Sequence, residues 1–386
     1  MVVVAESSRD PDLAPFVGPV HLGKAILVAT GDRRPTLGYL TSMERGEAAV
    51  TGCTLFGPEQ SGLTDLREKS GAEHRLWASL IEATLAFAGV SCSTVALAGR
   101  APAGLVHAAC SVLESKGWGF NDGSVVARTY RKLKGEDEIK QVRSTAAVVC
   151  SAFRRIAGLL AAASVRGDEL WLEGERLKVA RVRSEVAVLF AQAGLEQPMG
   201  NIFAVGAKAA IPHTQGESMD VLRPGKALVV DLFPRDTLFA DCTRTFCVGE
   251  LDRHLYAAHK HVYQALVHAQ GKVQVGIRAS RLQQAVCAEF EKAGYDTPQS
   301  RQDPRHGYVH NLGHGVGFEL HEFPTFAETE TEGGRLEAGD LFTIEPGLYE
   351  PSLRFGVRLE DLCYLSEDGL EILTDLPYDL DPNAWV

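Results

Sequence analysis

Residues 226–246 read KALVVDLFPRDTLFADCTRTF, and two aspartates in this stretch decide how the chain is read. Two apolar, β-rich runs flank Pro234-Arg235-Asp236-Thr237, which has the composition of a turn. Asp231 and Asp241 lie symmetrically about position 236, so a hairpin would set them opposite one another. Facing carboxylates repel, and burying them is costly without a proton or a cation. Solvation at the hairpin end is the bland alternative. It suits Asp231 poorly, because that residue closes the apolar run Ala-Leu-Val-Val. A divalent cation is the more economical reading.

The pattern recurs downstream. In DLFTIEPGLYEPSLRFGVRLEDLCYL, residues 340–365, Glu345 and Glu360 lie symmetrically about a Pro351-Ser352 turn region, each embedded in strand-like apolar sequence. Two hairpins with two acids each could clamp hard or borderline cations. Carboxylates mixed with imidazole suit manganese, zinc, cobalt or iron better than calcium. Two neighbouring ions need bridging carboxylates, and four acids with one histidine suffice.

HNLGHGVGFELHE, residues 310–322, offers the histidine. His310 and His314 are four apart, as on a zincin helix, but Asn311 stands where HExxH requires Glu. Gly313, Gly315 and Gly317 oppose a regular helix, and no Lys-Ser/Thr follows as in a phosphate loop. Glycines here let backbone approach closely around a site and leave room for a bound peptide. RHLYAAHKHVYQALVHAQ holds more histidines (His254, His259, His261, His268), but no acids converge on its helical face. By alternation, Asp361 and Cys242 turn away from the ligand side of their strands.

The 386 residues exceed what one core usually serves, so two domains are expected. Apolar and charged fractions of 45% and 23% are those of a soluble globular chain. A net charge of −11 argues against a general nucleic-acid footprint. No apolar run approaches the ~20 residues that span a bilayer, and MVVVAESSRDPDL lacks the basic start of a signal peptide. The eight cysteines (Cys53, Cys92, Cys110, Cys150, Cys242, Cys247, Cys287, Cys363) form no CxxC pair and read as reduced thiols in a cytoplasmic protein.

Residues 1–127 alternate strand-like runs (KAILVAT, AAVTGCTLFG, STVALAG) with helical ones (LWASLIEATLAFAG, GLVHAACSVLESKG), which predicts an α/β domain. Residues 128–386 read as a mixed α+β domain. It opens on a long helix whose start is marked by Glu136, Asp137 and Glu138. A second helix in ERLKVARVRSEVAVLFAQAGL ends near Gly194.

Four motifs in order, AAIPH, VVDLF…ADCTRTF, HNLGHGVGFELHE and TIEPGLY…GVRLED, resemble the M24 metallopeptidases of the creatinase or pita-bread fold. The Xaa-Pro aminopeptidase and prolidase branch is the nearer match. The resemblance spans residues 128–386, and the size of the N-terminal domain looks similar. It implies two divalent metal ions per chain, manganese first and zinc or cobalt as alternatives, on Asp231, Asp241, His314, Glu345 and Glu360. Asp241 and Glu360 would bridge the ions, with a water or hydroxide between them as nucleophile. Glu345 would also shuttle the proton. His213 and His321 would face the substrate and steady the tetrahedral intermediate, His310 would line a substrate subsite, and Arg358 would brace the site or contact a carboxylate. The implied activity is exopeptidase cleavage of short peptides with proline beside the scissile bond, by a cytoplasmic homodimer without membrane or nucleic-acid partners. By the same analogy the N-terminal domain builds the dimer and restricts substrate length.

Departures are also visible. Asp231-Leu232-Phe233-Pro234 replaces the family's Asp-x-Gly, Leu238 stands where a tyrosine is common, and the hairpin is one residue short. These differences fit a branch with its own specificity, carboxypeptidase-type trimming included. A creatinase-like non-peptidase hydrolase and a non-catalytic binding module are the rivals, and the intact ligand set argues against both.

Overall fold

The computed structural model describes residues 1–31, 33–91, 93–327 and 333–386. Cys92 lies outside the described residues, and the other seven cysteines are free and buried. The chain forms two compact units, Met1–Arg131 and Lys132–Val386. The division falls after Arg131 rather than 127 because the helix Ser124–Tyr130 packs in the first unit, against the fifth strand of its sheet.

The first unit is built on strands β1 (Val2–Ala5), β2 (Ala25–Val28), β3 (Thr36–Tyr39), β4 (Thr54–Phe56), β5 (Thr94–Ala98) and β6 (Gly119–Asp122), in the order β4-β3-β2-β1-β5-β6. The N-terminal valines therefore form a central strand, parallel to β5 and antiparallel to β2. Val2 and Val4 pack with Trp77, Ile81 and Leu113, whereas Val3 and Ala5 pack on the other face with Leu13, Val17 and Leu37. Burial on both faces explains an unbroken apolar run instead of alternation. AAVTGCTLFG is not one strand: the helix Arg45–Ala49 and β4 share it, separated by Gly52 at φ +73°.

The second unit opens on the helix Glu136–Ala161, capped where Glu138 accepts the Gly135 N–H. This helix is long and apolar enough by composition to cross a membrane. Its buried residues, Ile139, Val142, Val149, Phe153, Ile156 and Leu160 among them, recur at helical spacing and pack against the helix Val179–Gln192. A meander of β7 (Ser164–Arg166), β8 (Glu169–Leu172) and β9 (Glu175–Arg176) follows, too short and polar to stand out in the sequence. The helices Arg253–Gln270 and Ala279–Lys292 pack together.

The remaining strands frame the site. β10 (Ile202–Val205), β11 (Leu228–Leu232) and β12 (Cys242–Phe246) form one sheet. The others are β13 (His314–Gly315), β14 (Glu322–Thr325), β15 (Leu341–Ile344), β16 (Gly347–Glu350), β17 (Phe355–Arg358), β18 (Asp361–Ser366) and β19 (Gly369–Ile372). Here β15 pairs with β18 and β16 with β17 in one continuous register, from Leu341↔Tyr364 to Gly347↔Arg358. Glu345 and Glu360 fall in the gap between the two ladders, opposite one another.

The first hairpin differs from expectation. Asp231 pairs with Thr243, not Asp241. The turn closes through the Arg235↔Phe239 bridge and is centred on Thr237, which moves the register by two residues. Because side chains alternate with period two, Asp241 and Thr243 still share a face. An isolated bridge, Thr243↔Glu360, then joins this sheet to the other pair of runs.

Behind that bridge Arg244 and Asp361 form an ion pair with no exposed side-chain surface, Nη2 to Oδ1 at 2.7 Å. Arg244 Nη1 also donates to the Glu360 carbonyl at 2.6 Å, and Asp361 accepts from Tyr378 and Gln270. Removing one partner strands the other charge. Arg244→Met should destabilise the protein by about 3–5 kcal/mol in denaturant unfolding; a midpoint equal to the native one would refute this role.

Candidate metal centre

Each proposed ligand sits in a strand or at its end, where the chain is held yet one side chain is free to project. Asp231 is on β11, Asp241 precedes β12, His314 opens β13, Glu345 follows β15 and Glu360 precedes β18. Oδ2 of Asp241 and Oε1 of Glu345 each lie 3.6 Å from His314 Nε2. One ligand atom each from Asp241, His314 and Glu360 falls within 4.8 Å of the others. Among the described residues this is the one such group; Glu345 reaches His314 and Asp231 lies close enough to raise the Asp241 carboxyl, whereas the histidine-rich helix offers no such group. There, His259 bonds the Tyr378 carbonyl and His261 the Tyr295 hydroxyl.

The electrostatics are strained. Burial first, then Glu360, Asp231 and Glu345, hold the Asp241 carboxyl well above the usual carboxylate range. Glu360 is raised by burial and by Glu345 and Asp231, although Thr243 Oγ1 donates to it at 2.7 Å. Burial pushes Glu345 up to about 8, against the pull of Arg358. His314 is pushed down to about 3, chiefly by burial, and is therefore neutral. Its Nδ1 lies 3.1 Å from the Gly315 carbonyl. A proton on Nδ1 leaves the Nε2 lone pair aimed at the acids, the form in which imidazole binds metal.

The residues fit a pair of divalent cations. Asp231 Oδ1 and Asp241 Oδ1 are buried with no hydrogen-bond partner, a costly condition that a cation relieves. The donor set of carboxylates and one neutral imidazole has the required chemistry.

Around the acids lies a layer the sequence reading covered only in part. Arg358 is buried and donates through Nη2 to Asp231 Oδ2 at 2.5 Å, through Nη1 to Tyr349 Oη at 2.9 Å, and through Nε to Thr243 Oγ1 at 3.1 Å. It braces the site from behind rather than reaching out of it. Thr243 and Tyr349 were not singled out, though both follow from alternation: Thr243 is two residues past Asp241 and Tyr349 four past Glu345. His310 has both ring nitrogens engaged, Nδ1 with the Asn311 carbonyl at 2.7 Å and Nε2 with Tyr349 Oη at 3.0 Å. Gly347 leaves space for this pair; a Cβ there would lie 2.8 Å from the Tyr349 oxygen. His213 and His321 are exposed, and the His321 ring stands edge-on to His314 with centroids 4.2 Å apart.

The glycines of residues 310–322 do not provide room for a peptide. A Cβ on Gly313 or Gly315 would lie 2.0 Å from the carbonyl oxygens of Thr343 and Phe323, so both are pressed between neighbouring strands. Close backbone approach is their role.

Buried acids gathered at the broken ends of strands, facing a neutral histidine, define a divalent-metal centre. Residues 140–367, more than half of the chain, match the model of metallopeptidase family M24, and the chain belongs to that family. Its sequence is 33% identical over 211 residues to the Xaa-Pro dipeptidase of Lactobacillus delbrueckii subsp. lactis, covering 53% of this chain and 52% of that one. The matched region thus spans about half the length of such curated relatives. The fold follows the prolidase of Pyrococcus horikoshii (TM-score 0.74, 22% identity, 98% of this chain and 95% of that one). It equally follows the X-Pro aminopeptidase of Thermotoga maritima (TM-score 0.74, 22% identity, 98% and 96%). The architecture is the pita-bread fold of these enzymes.

The raised acids set the sign of a pH effect. A carboxyl whose folded pKa exceeds its unfolded value binds more protons when folded, so stability declines as pH rises between the two values. For Glu345 that window runs from the usual carboxylate range to about 8. Metal-free protein should therefore lose melting temperature from pH 5 to 8, and manganese should restore it by an increment that grows with pH. A metal-induced increment independent of pH would contradict this.

Proposed function

We propose that the protein is a dinuclear-metal-dependent exopeptidase that hydrolyses short peptides with proline beside the scissile bond. The gathering of Asp241, Glu360 and a neutral His314, with Glu345 and Asp231 beside them and buried oxygens left unpartnered, carries this reading. The names of the relatives supply the substrate class. Asp231, Asp241, His314, Glu345 and Glu360 would hold two divalent ions, manganese or else zinc or cobalt. Such a pair supplies Lewis acidity, which activates water at neutral pH and polarises a carbonyl.

The protein's own groups do the rest. Glu345, 3.6 Å from His314 Nε2, would relay a proton from the attacking water to the leaving amine. His213 and His321 are exposed, His321 edge-on to His314 and His213 near His321, and would donate hydrogen bonds to a developing oxyanion. His310, with both nitrogens occupied, offers substrate a ring face rather than a hydrogen bond. Arg358 keeps the Asp231 carboxylate oriented through Nη2. We place the enzyme in the cytoplasm as a homodimer, a state that light scattering of the purified chain would test.

Asp241→Ala should lower metal-dependent cleavage of a proline-containing peptide to the background rate. Full activity in a rigorously metal-free preparation would overturn the proposal. A peptide panel with free and blocked termini, assayed with each metal, separates aminopeptidase, dipeptidase and carboxypeptidase trimming. Metal analysis should find about two divalent ions per chain.

A further inference from the structure

Lys134 carries an ammonium with no exposed side-chain surface, 2.7 Å from Oε1 of the equally buried Glu322. Its Nζ also donates to the Lys132 carbonyl at 2.8 Å. A buried ion pair is seldom more stabilising than well-packed apolar groups of similar volume, and its best-attested use is to fix geometry. The geometry at stake is visible in what the pair touches.

Glu322 directly follows His321. Its Oε2 accepts the Glu319 N–H at 3.3 Å, so one carboxylate spans the turn before β14 and meets the lysine. Gly317 lies against both partners: a Cβ there would be 2.1 Å from Glu322 Oε1 and 2.6 Å from Lys134 Cε. The Gly317 carbonyl in turn accepts the N–H of Phe239 at 2.8 Å, two residues before Asp241. On the other side, the lysine is anchored by its own segment. Its N–H donates to the Gly339 carbonyl at 2.8 Å, Leu133 bridges Asp340, and Lys132 pairs with Glu337 and Asp340. The capped helix Glu136–Ala161 starts two residues later.

We propose that Lys134 and Glu322 are positioning residues. Their ion pair clamps the turn 317–322 to the start of the long helix, fixing His321 against His314 and the loop that delivers Asp241. The catalytic part of this inference rests on the hydrolytic reading above; the clamp itself does not.

The test compares Lys134→Met, Glu322→Gln and the doubly neutral Lys134→Met/Glu322→Gln with the native chain. Amide hydrogen exchange, manganese binding by calorimetry, and kcat and KM on a proline-containing dipeptide are measured. Each single variant should speed exchange at Glu319 and Phe239. It should also lower kcat by about 10–100-fold, the scale of a small misplacement, with KM little changed. The double variant should be no worse than the poorer single. Folded variants with native exchange and native kcat would overturn the proposal, as would loss of melting temperature alone. Should the singles fail to fold, the double variant is read by the same criteria. In the native protein, Glu319 and Phe239 amides exchanging as fast as an unstructured peptide would also overturn it. A native enzyme that cleaves no peptide defeats the hydrolytic reading, while exchange still decides the clamp.

Discussion

Four carboxylates share one buried volume with a single guanidinium, and the second unit is arranged around that imbalance. Left alone, such a cluster takes up protons, as the raised positions of Asp241, Glu345 and Glu360 indicate. Arg358 offsets part of the charge and is placed nearest Asp231. It reaches Glu345 at 4.0 Å, and its pull on that acid is outweighed by burial. The residual need is for positive charge at the oxygens without donors, Asp231 Oδ1 and Asp241 Oδ1. Affinity for cations and instability without them are therefore one property.

Holding repelling groups in place requires rigid supports on the far sides of the strands. Alternation supplies them, because the residue after a ligand points away from it. Arg244 and Asp361 take these positions around Thr243 and Glu360 and form a satisfied ion pair, closed over by the Tyr378 ring with its centroid 4.5 Å from the guanidinium. The same two strand segments thus present acids on one face and a neutralised, fully bonded pair on the other.

Much of this was legible in the sequence, for a definable reason. An acid embedded in an apolar run contradicts burial, and the four so marked in the two hairpins are the acids whose carboxyls are raised or left without donors here. Symmetry about a turn placed Glu345 opposite Glu360 because those two runs pair without a bulge. It misplaced the partner of Asp231 by two residues, since the Arg235↔Phe239 closure depends on backbone bonding that composition does not encode. The slip was harmless because two is the period of the strand. The glycines of residues 310–322 misled in a different way. Sequence shows that a side chain is missing but not whether a ligand or a neighbouring carbonyl fills the space, and here the carbonyls of Thr343 and Phe323 do. Buried lysines in a basic run, such as Lys134, give no local signal, because their partners lie about two hundred residues away.

The site also lies where the sheet is weakest. Glu345 and Glu360 occupy the break between the β15–β18 and β16–β17 ladders, and the backbone of each is held from elsewhere: the Glu345 N–H donates to the Leu312 carbonyl and the Glu360 N–H to Thr243. A continuous ladder would have turned these side chains into a regular, closely paired row. The break lets each acid tilt toward His314, while Leu312 and Thr243 recover the hydrogen bonds that the ladder gave up. Those two donors' partners flank the other ligands, Leu312 two residues before His314 and Thr243 two after Asp241. Every ligand strand is consequently bonded to the backbone beside another ligand, so a shift of one acid is transmitted to the histidine and to the opposite hairpin. Precision at the site then comes from this mutual bonding of loose ends rather than from any single rigid sheet.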